Sequence, residues 1–440
     1  MSGMTVGIIA LGVTLTLLVL RIHIGVTMII GGMLPYLIIN NWDWTALLFT
    51  INNLVYTRLS NYDLAVIPLF VLMGQFATHG GLSRTIFRSA SAFVGHIRGG
   101  LGIAAVGTCA GFGAICGSSL ATSATMSQVA LPELRRHNYP GNIAGASIAV
   151  GGTLGILIPP SVPLIVYAVI TQESIAKLFV AAVIPSVLAV AGYSLVMWLT
   201  ARKHNIPTAS ELKSSWGEKL VAFLQVTPII GIFLVVIVGI YGGWSNPTEA
   251  AAIGASAAAV LAVIQGKMRL KGFIQSIYGT AETTAIIFLI LLGADLLNSG
   301  LAITQMPNEL AMWVQSLPVA PLLILGAILI IYIVLGCVMD SLAMLLLTIP
   351  IFYPIVMGLD FFGLDHTEKS IWFGILALMI VEIGLITPPM GMNLFIVHRH
   401  ASDIPFLRIA KAVVPFLISD FVRITILLFF PAITLFLLRL

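Results

Sequence analysis

The residues able to do chemistry lie where two apolar helices ought to continue and cannot. Gly155-Ile156-Leu157-Ile158-Pro159-Pro160-Ser161 interrupts one apolar run, and Gly384-Leu385-Ile386-Thr387-Pro388-Pro389-Met390 interrupts another. Proline has no N–H and its ring clashes with the preceding turn, so two in a row end a helix. Inside a bilayer, broken backbone survives only when protein or a polar cavity surrounds it. The freed carbonyls suit a hard cation such as Na+, and the start of each resumed half-helix suits a carboxylate. The first break carries Thr153, Pro159 and Ser161; the second carries Glu382, Thr387, Pro388 and Asn393. Two further polar spots interrupt apolar segments: Gly117-Ser118-Ser119, followed by Thr122 and Ser123, and Met339-Asp340-Ser341. An isolated Ser or Thr in a membrane usually packs helices or satisfies backbone. Oxygen-rich spots facing helix breaks in both halves of the chain favour ion or substrate binding instead. Asp340 and Glu382 rank first, because ionisable side chains in apolar spans are costly and lean towards function.

The elements that must hold these residues follow from composition. Of 440 residues, 59% are hydrophobic and 9% charged, against about 25% charged in soluble domains. The chain therefore reads as an all-α, polytopic protein of the lipid bilayer. A net charge of +4 needs no nucleic-acid partner. Cys109, Cys116 and Cys337 lie in apolar segments without metal-ligand or redox spacing. Met1-Ser2-Gly3-Met4 has no basic stretch, so the run from Thr5 to Leu20 reads as a retained span rather than a signal peptide.

Spans are expected at about 4–20, 24–39 and 63–80, with a mixed segment before Tyr62 that suits the membrane interface or a buried connector. Residues 101–132 are apolar but broken at their polar centre, and basic residues flank both ends. That is the pattern of a re-entrant helical hairpin with Ser118-Ser119 at its tip. The broken helix 141–170 and a span at 176–200 follow. After a polar connector come spans at 222–241 and 247–264, then one at 276–298 and a polar loop to Leu317. A second re-entrant hairpin, 320–357, surrounds Asp340; the broken helix 371–397 and a span at 411–438 complete the order. Threaded this way, 16 of the 21 Lys and Arg fall on one side, including Arg84, Arg88, Arg135, Arg136, Lys213 and Lys267. That side is cytoplasmic by the positive-inside rule, and both termini are expected on the periplasmic side.

The two halves echo each other. Gly81-Leu82 matches Gly300-Leu301, Ser119-Leu120-Ala121 matches Ser341-Leu342-Ala343, Pro159-Pro160 matches Pro388-Pro389, and Ala182-Val183-Ile184-Pro185 resembles Ala412-Val413-Val414-Pro415. Several matches in order, at slowly drifting offsets, mark an internal repeat. The threading gives its copies opposite orientation, as in secondary transporters built from inverted repeats. The expected division is N-terminal scaffold spans and interfacial helix at 1–62, repeat 1 at 63–200, a connector with a middle scaffold hairpin at 201–275, and repeat 2 at 276–440.

Other ionisable residues read as structural or remain open. Asp295 and Glu282 could serve helix–helix hydrogen bonding or ion traffic. Asp420 and Arg423 share one helical face and should pair. Asn246-Pro247-Thr248-Glu249 is a helix start with a capping box. There is no G-x-x-x-x-G-K-[ST], H-E-x-x-H or G-x-S-x-G pattern, so nucleotide-loop, metalloprotease and hydrolase chemistry find no support and the chain does not read as an enzyme.

Taken as a set, Gly117-Ser118-Ser119, the Gly-Ile-Leu-Ile-Pro-Pro-Ser run at 155–161, Asn-Pro-Thr-Glu-Ala-Ala at 246–251, Met339-Asp340 and Gly-Leu-Ile-Thr-Pro-Pro-Met-Gly-Met-Asn at 384–393 resemble the large membrane subunit of the tripartite ATP-independent periplasmic (TRAP) transporters. The resemblance covers nearly the whole chain. It implies an elevator-type symporter of the bacterial inner membrane that imports an organic acid, with Na+ as the coupling ion and no other cofactor. It implies two partners, a small membrane subunit and a periplasmic substrate-binding protein. All the apolar spans are already used here, so the small subunit would be a separate chain. By the same resemblance, Na+ would sit where each tip meets the break of its own repeat: Ser118, Ser119 and Thr122 against Thr153, Pro159 and Ser161, and Asp340 and Ser341 against Glu382, Thr387, Pro388 and Asn393. The small-molecule organic anion would lie between the tips. Two alternatives stay open at the level of sequence: a stand-alone carboxylate or ion exchanger of similar architecture, and a membrane scaffold that transports nothing.

Overall fold

The computed structural model describes residues 2–206, 214–265, 268–337 and 339–439; Lys213 and Lys267 lie outside them. Among the described residues there are twenty α-helices, two short 3-10 turns and no strand. Among the described residues, six helices and the broken run Gly141–Thr171 are long and apolar enough to cross a membrane, seven spans in all, or eight if the pair Thr45–Leu59 and Tyr62–His79, bent by 59°, counts as one. Every backbone polar group in lipid must be satisfied within its own segment, which is why the chain is helical throughout.

The chain begins with α1 (Gly3–Val19), α2 (Ile24–Ile39) and α3 (Thr45–Leu59). The first two are 17 and 16 residues long, about 25 Å of helix against a hydrocarbon core of about 30 Å. α3 buries only Leu47, consistent with the interfacial expectation. Repeat 1 comprises α4 (Val66–His79), α5 (Leu82–Val94), α6 (Gly100–Cys116), α7 (Ser119–Arg136), α8 (Gly141–Leu157), α9 (Val162–Thr171) and α10 (Ile175–Lys203). A hairpin of α11 (Trp216–Tyr241) and α12 (Pro247–Ile264) follows. Repeat 2 is α13 (Leu270–Ile303), α14 (Met306–Ser316), α15 (Pro321–Gly336), α16 (Ser341–Met357), α17 (His366–Ile386), α18 (Met392–His400) and α19 (Phe406–Phe429), and the short α20 (Pro431–Leu435) closes the chain. The two stretches expected as repeats thus follow one order: an opening apolar helix, a short helix, a two-helix hairpin, a broken helix and a closing span.

Two expectations need correction. The polar stretch before Leu317 is not a loop: Met306–Ser316 is helical, with Pro307 in its first turn and Met306, Ala311 and Val314 buried. Its counterpart α5 hides within the basic stretch, burying Leu82, Ile86 and Phe87 while Arg84 and Arg88 stay outside. The final span also begins and ends earlier than 411–438, because Pro431 starts a new helix after Phe430.

Packing sorts the helices into two bundles. α13 lies along α2 and α4, and α4 lies along α12, which makes a frame with α1, α3 and α11. The core is built from the hairpins and broken helices: α8 packs on α6 and α7, and α17 on α15 and α16. The repeats interlock by exchange. α9 of repeat 1 packs on α16 of repeat 2, and α18 of repeat 2 packs on α7 of repeat 1. α5 and α14 join the bundles, α5 touching α11 and α6, α14 touching α1 and α16.

Candidate functional site

Each hairpin tip rests against the break in its own repeat, and glycine makes the approach possible. A Cβ on Gly113 would stand 2.6 Å from the Gly155 Cα, and one on Gly384 would stand 2.6 Å from the Gly336 Cα. The two contacts are equivalent: the last turn of the incoming hairpin leg crosses the last turn before the break. In repeat 1 the chain then turns through Gly117, at φ +64°, a left-handed conformation that glycine adopts without strain. Ser118 caps α7 by accepting from the Ala121 N–H at 3.4 Å, and its own carbonyl accepts from the Thr122 hydroxyl at 2.7 Å. Gly152 and Gly155 bring α8 against Ser119 O, Ser118 O and Ser123 Oγ. That Ser123 oxygen is buried with no hydrogen-bond partner. Across the break, both Pro159-Pro160 and Pro388-Pro389 have cis peptide bonds, and Ser161 caps α9 through the Leu164 N–H.

Repeat 2 repeats the geometry with different chemistry. Asp340 stands at the capping position of α16, where Ser118 stands in α7, but its carboxylate does not close a cap. The Cys337 thiol points to the Pro388 carbonyl at 3.8 Å. The first break is enclosed, with Pro159, Pro160 and Ser161 buried, whereas Pro388, Pro389 and Met390 are exposed.

One cavity of about 930 Å³ holds both tips; Ser118 and Ser119 line it from one hairpin, and Asp340 and Ser341 from the other. Val162 and Pro163, the first residues of α9, also reach it. Three helix N-termini, those of α7, α9 and α16, therefore converge on the same space. Each brings the positive end of a helix dipole, an arrangement that favours an anion, although Ser118 and Ser161 already take one N–H each at α7 and α9. The volume is of the size that encloses a small organic molecule.

Other polar residues near the breaks lie away from this cavity. Glu382 is fully buried in α17 and accepts from Arg423 of α19 at 3.1 Å; the same guanidinium donates to Asp420 at 2.9 Å. Tyr193 of α10 donates to Asp420 at 2.9 Å, and the Thr153 hydroxyl of α8 lies 3.5 Å from the Tyr193 oxygen. Asp420 and Arg423 pair as their spacing predicts. Their link to Glu382, and through Tyr193 to Thr153, joins four helices from both repeats. Asn393 donates to the Ala149 carbonyl at 3.2 Å, another bond between repeats, and the Thr387 hydroxyl turns back to Ile383 O at 2.6 Å. Asp295 is ion-paired with Arg58, tying α13 to α3. Glu282 is exposed, and Glu249 closes a capping box with Asn246 at 2.8 Å and 3.0 Å. Sequence reasoning missed the two glycine pairs, although the repeat offsets relating Gly113 to Gly336 and Gly155 to Gly384 could have found them.

Residues 11–433 match the family described as tripartite ATP-independent periplasmic transporter, DctM component. The chain is 36% identical over 386 residues to the C4-dicarboxylate TRAP transporter large permease protein DctM of Pseudomonas aeruginosa, covering 85% of this chain and 86% of that protein. It is 33% identical over 383 residues to the sialic acid TRAP transporter large permease protein SiaM of Vibrio cholerae, covering 86% and 87%. Among solved structures, the YdaH transporter of Alcanivorax borkumensis, which has an unusual topology, is similar in fold at a TM-score of 0.59 over 88% of both chains, with 14% identity.

Proposed function

The chain belongs to the DctM family of TRAP transporter large permeases, and on that premise we propose that it carries an organic acid across the bacterial inner membrane, driven by a Na+ gradient. The convergence of three helix N-termini on the cavity between the hairpin tips carries this reading. A carboxylate bound there meets oriented N–H groups and needs few added cations. The carbonyl and hydroxyl oxygens where each tip meets its break supply the hard-oxygen surroundings that Na+ prefers. In repeat 1 these come from Ser118, Ser119, Thr122, Pro159 and Ser161, and in repeat 2 from Ser341 and Pro388, with the Asp340 carboxylate beside them; Thr153, Thr387, Asn393 and Glu382 bond elsewhere and hold the surrounding helices.

Relatives act as large permeases for C4-dicarboxylates and for sialic acid, so substrates of these two classes are the first to try. The organic acid is delivered by a periplasmic binding protein, and a small membrane subunit completes the complex. The core of hairpins and broken helices moves against the frame in an elevator motion, with the ions and the substrate carried together. Proteoliposomes containing the complete complex, tested with succinate and N-acetylneuraminate, decide the matter. Uptake of one of them should require the binding protein and fall to background when the Na+ gradient is collapsed. Uptake that persists without that gradient overturns Na+ coupling, and uptake by this chain alone overturns the requirement for partners.

A further inference from the structure

Arg84 and Arg88 have no acidic partner within 4 Å among the described residues. They lie one turn apart on the exposed face of α5 and line two adjoining cavities at once. The first is the 930 Å³ space that reaches the hairpin tips. The second, about 570 Å³, leads past Gln128 to Glu133 and His137 at the open end of the first hairpin. The two arginines thus stand where the tip cavity gives way to the side rich in Lys and Arg. A topology signal alone needs only the charge near the lipid headgroups; it gives no reason for both guanidinium groups to border both cavities.

We propose that Arg84 and Arg88 form a second anion site, a cationic vestibule that draws the substrate carboxylate from between the tips towards release. The site rests on the organic-acid reading above. The charged and titratable groups facing it are Asp340 and His79 in the first cavity and Glu133 and His137 in the second. Asp340 lies at the tip end, so a carboxylate moving outwards leaves a negative group and approaches two positive ones. That gradient favours departure from the tips without trapping the anion, because guanidinium groups exposed to water bind a carboxylate only weakly.

The vestibule can be tested without knowing the substrate. Thr125 lines the first cavity on α7. In the full-length chain with Cys109→Ala, Cys116→Ala and Cys337→Ala, Thr125→Cys or the neighbouring Ala124→Cys is labelled in nanodiscs. The probes are anionic sulfonatoethyl and cationic trimethylammonioethyl methanethiosulfonates. Two positive charges on the wall of the same cavity should favour the anionic reagent, so the ratio of rates should fall about tenfold in Arg84→Gln/Arg88→Gln. It should return in Arg84→Lys/Arg88→Lys, and the difference should shrink in high salt. An unchanged ratio overturns the vestibule, as does a failure of both cysteines to react. In proteoliposomes the Gln variants should raise the half-saturating concentration of substrate on the release side and leave the uptake KM unchanged; an equal change on both sides overturns the assignment to release. If neither succinate nor N-acetylneuraminate is carried, the organic-acid reading loses its support while the labelling ratio still decides the vestibule.

Discussion

Gly384 has no room for a methyl group, because a Cβ there would stand 2.6 Å from the backbone of Gly336. Backbone cannot swing aside as a flexible side chain can, so Gly384→Ala should destabilise the protein by about 1–3 kcal/mol and sharply reduce transport. Gly107→Ala meets nothing within 4 Å and should leave both unchanged; thermal unfolding of the detergent-purified protein and initial uptake rates separate the two. Arg423 poses a different constraint. It is the cation between two buried carboxylates, and Arg423→Met should cost about 3–5 kcal/mol by leaving them unpaired. Adding Glu382→Gln and Asp420→Asn should recover much of that loss, a result readable as Tm. One pH response lies at the surface. Arg135 bonds Asp403 at 2.8 Å and holds its carboxyl below the ordinary aspartate value of 3.8. A depressed acid contributes stability above its unfolded pKa and loses it as pH falls through the folded one. Stability should therefore be insensitive to this pair between pH 5 and 8, with the contribution lost below about 4; Asp403→Asn should remove that acid-dependent part of the Tm profile. Residue types in spans pointed to Glu382, but its partner was not legible, because Arg423 lies 41 residues away on another helix.

At the scale of elements, local chemistry decides which helices could be read in advance. α12 announces itself: Asn246 caps it, Pro247 occupies its first position, and Glu249 returns the bond. Asn246→Ala should cost about 1 kcal/mol and leave the Na+ dependence of uptake unchanged, as measured by Tm and by an ion titration. α14 has Pro307 and Glu309 in its first turn but no capping side chain. Met306-Pro307-Asn308-Glu309 is too polar and too short to resemble a span, and burial of Met306, Ala311 and Val314 against its neighbours holds the helix in place. α5 is masked in the same way by its arginines. Periodicity reports long apolar helices well; a short helix stabilised by tertiary contact needs those contacts to be known. The breaks were legible because a Pro-Pro pair has few meanings inside an apolar run. The glycine crossings were harder to see, because 41 glycines are spread along the chain and only the repeat offsets single out Gly113, Gly155, Gly336 and Gly384 before their spatial neighbours are known.

Across the whole molecule, frame and core meet closely at Gly74, where a Cβ would stand 2.9 Å from the Cys116 Cα. A bulky side chain there wedges α4 of the frame away from the tip of the first hairpin. Gly74→Leu should lower the initial uptake rate by about tenfold, the effect of roughly 1.4 kcal/mol on a population of states, while the protein still purifies as a single folded species. Aggregation of that variant would mean instead that the contact is needed for folding. The internal repeat was visible as matched motifs, but its exchange of partners, α9 with α16 and α18 with α7, depends on three-dimensional packing that no linear match encodes. The two joining helices carry a mechanical consequence. α5 and α14 have 13 and 11 residues, so they are stiff rods of about 20 Å and 17 Å. Each is pinned at both ends by a connection of only a few residues. A body suspended from two such rods can swing but cannot drift: its stroke is bounded by about twice the shorter rod unless a helix melts. On the elevator reading proposed above, the length of α14, a stretch that reads as a mere polar loop, thus bounds how far the core can travel in one step.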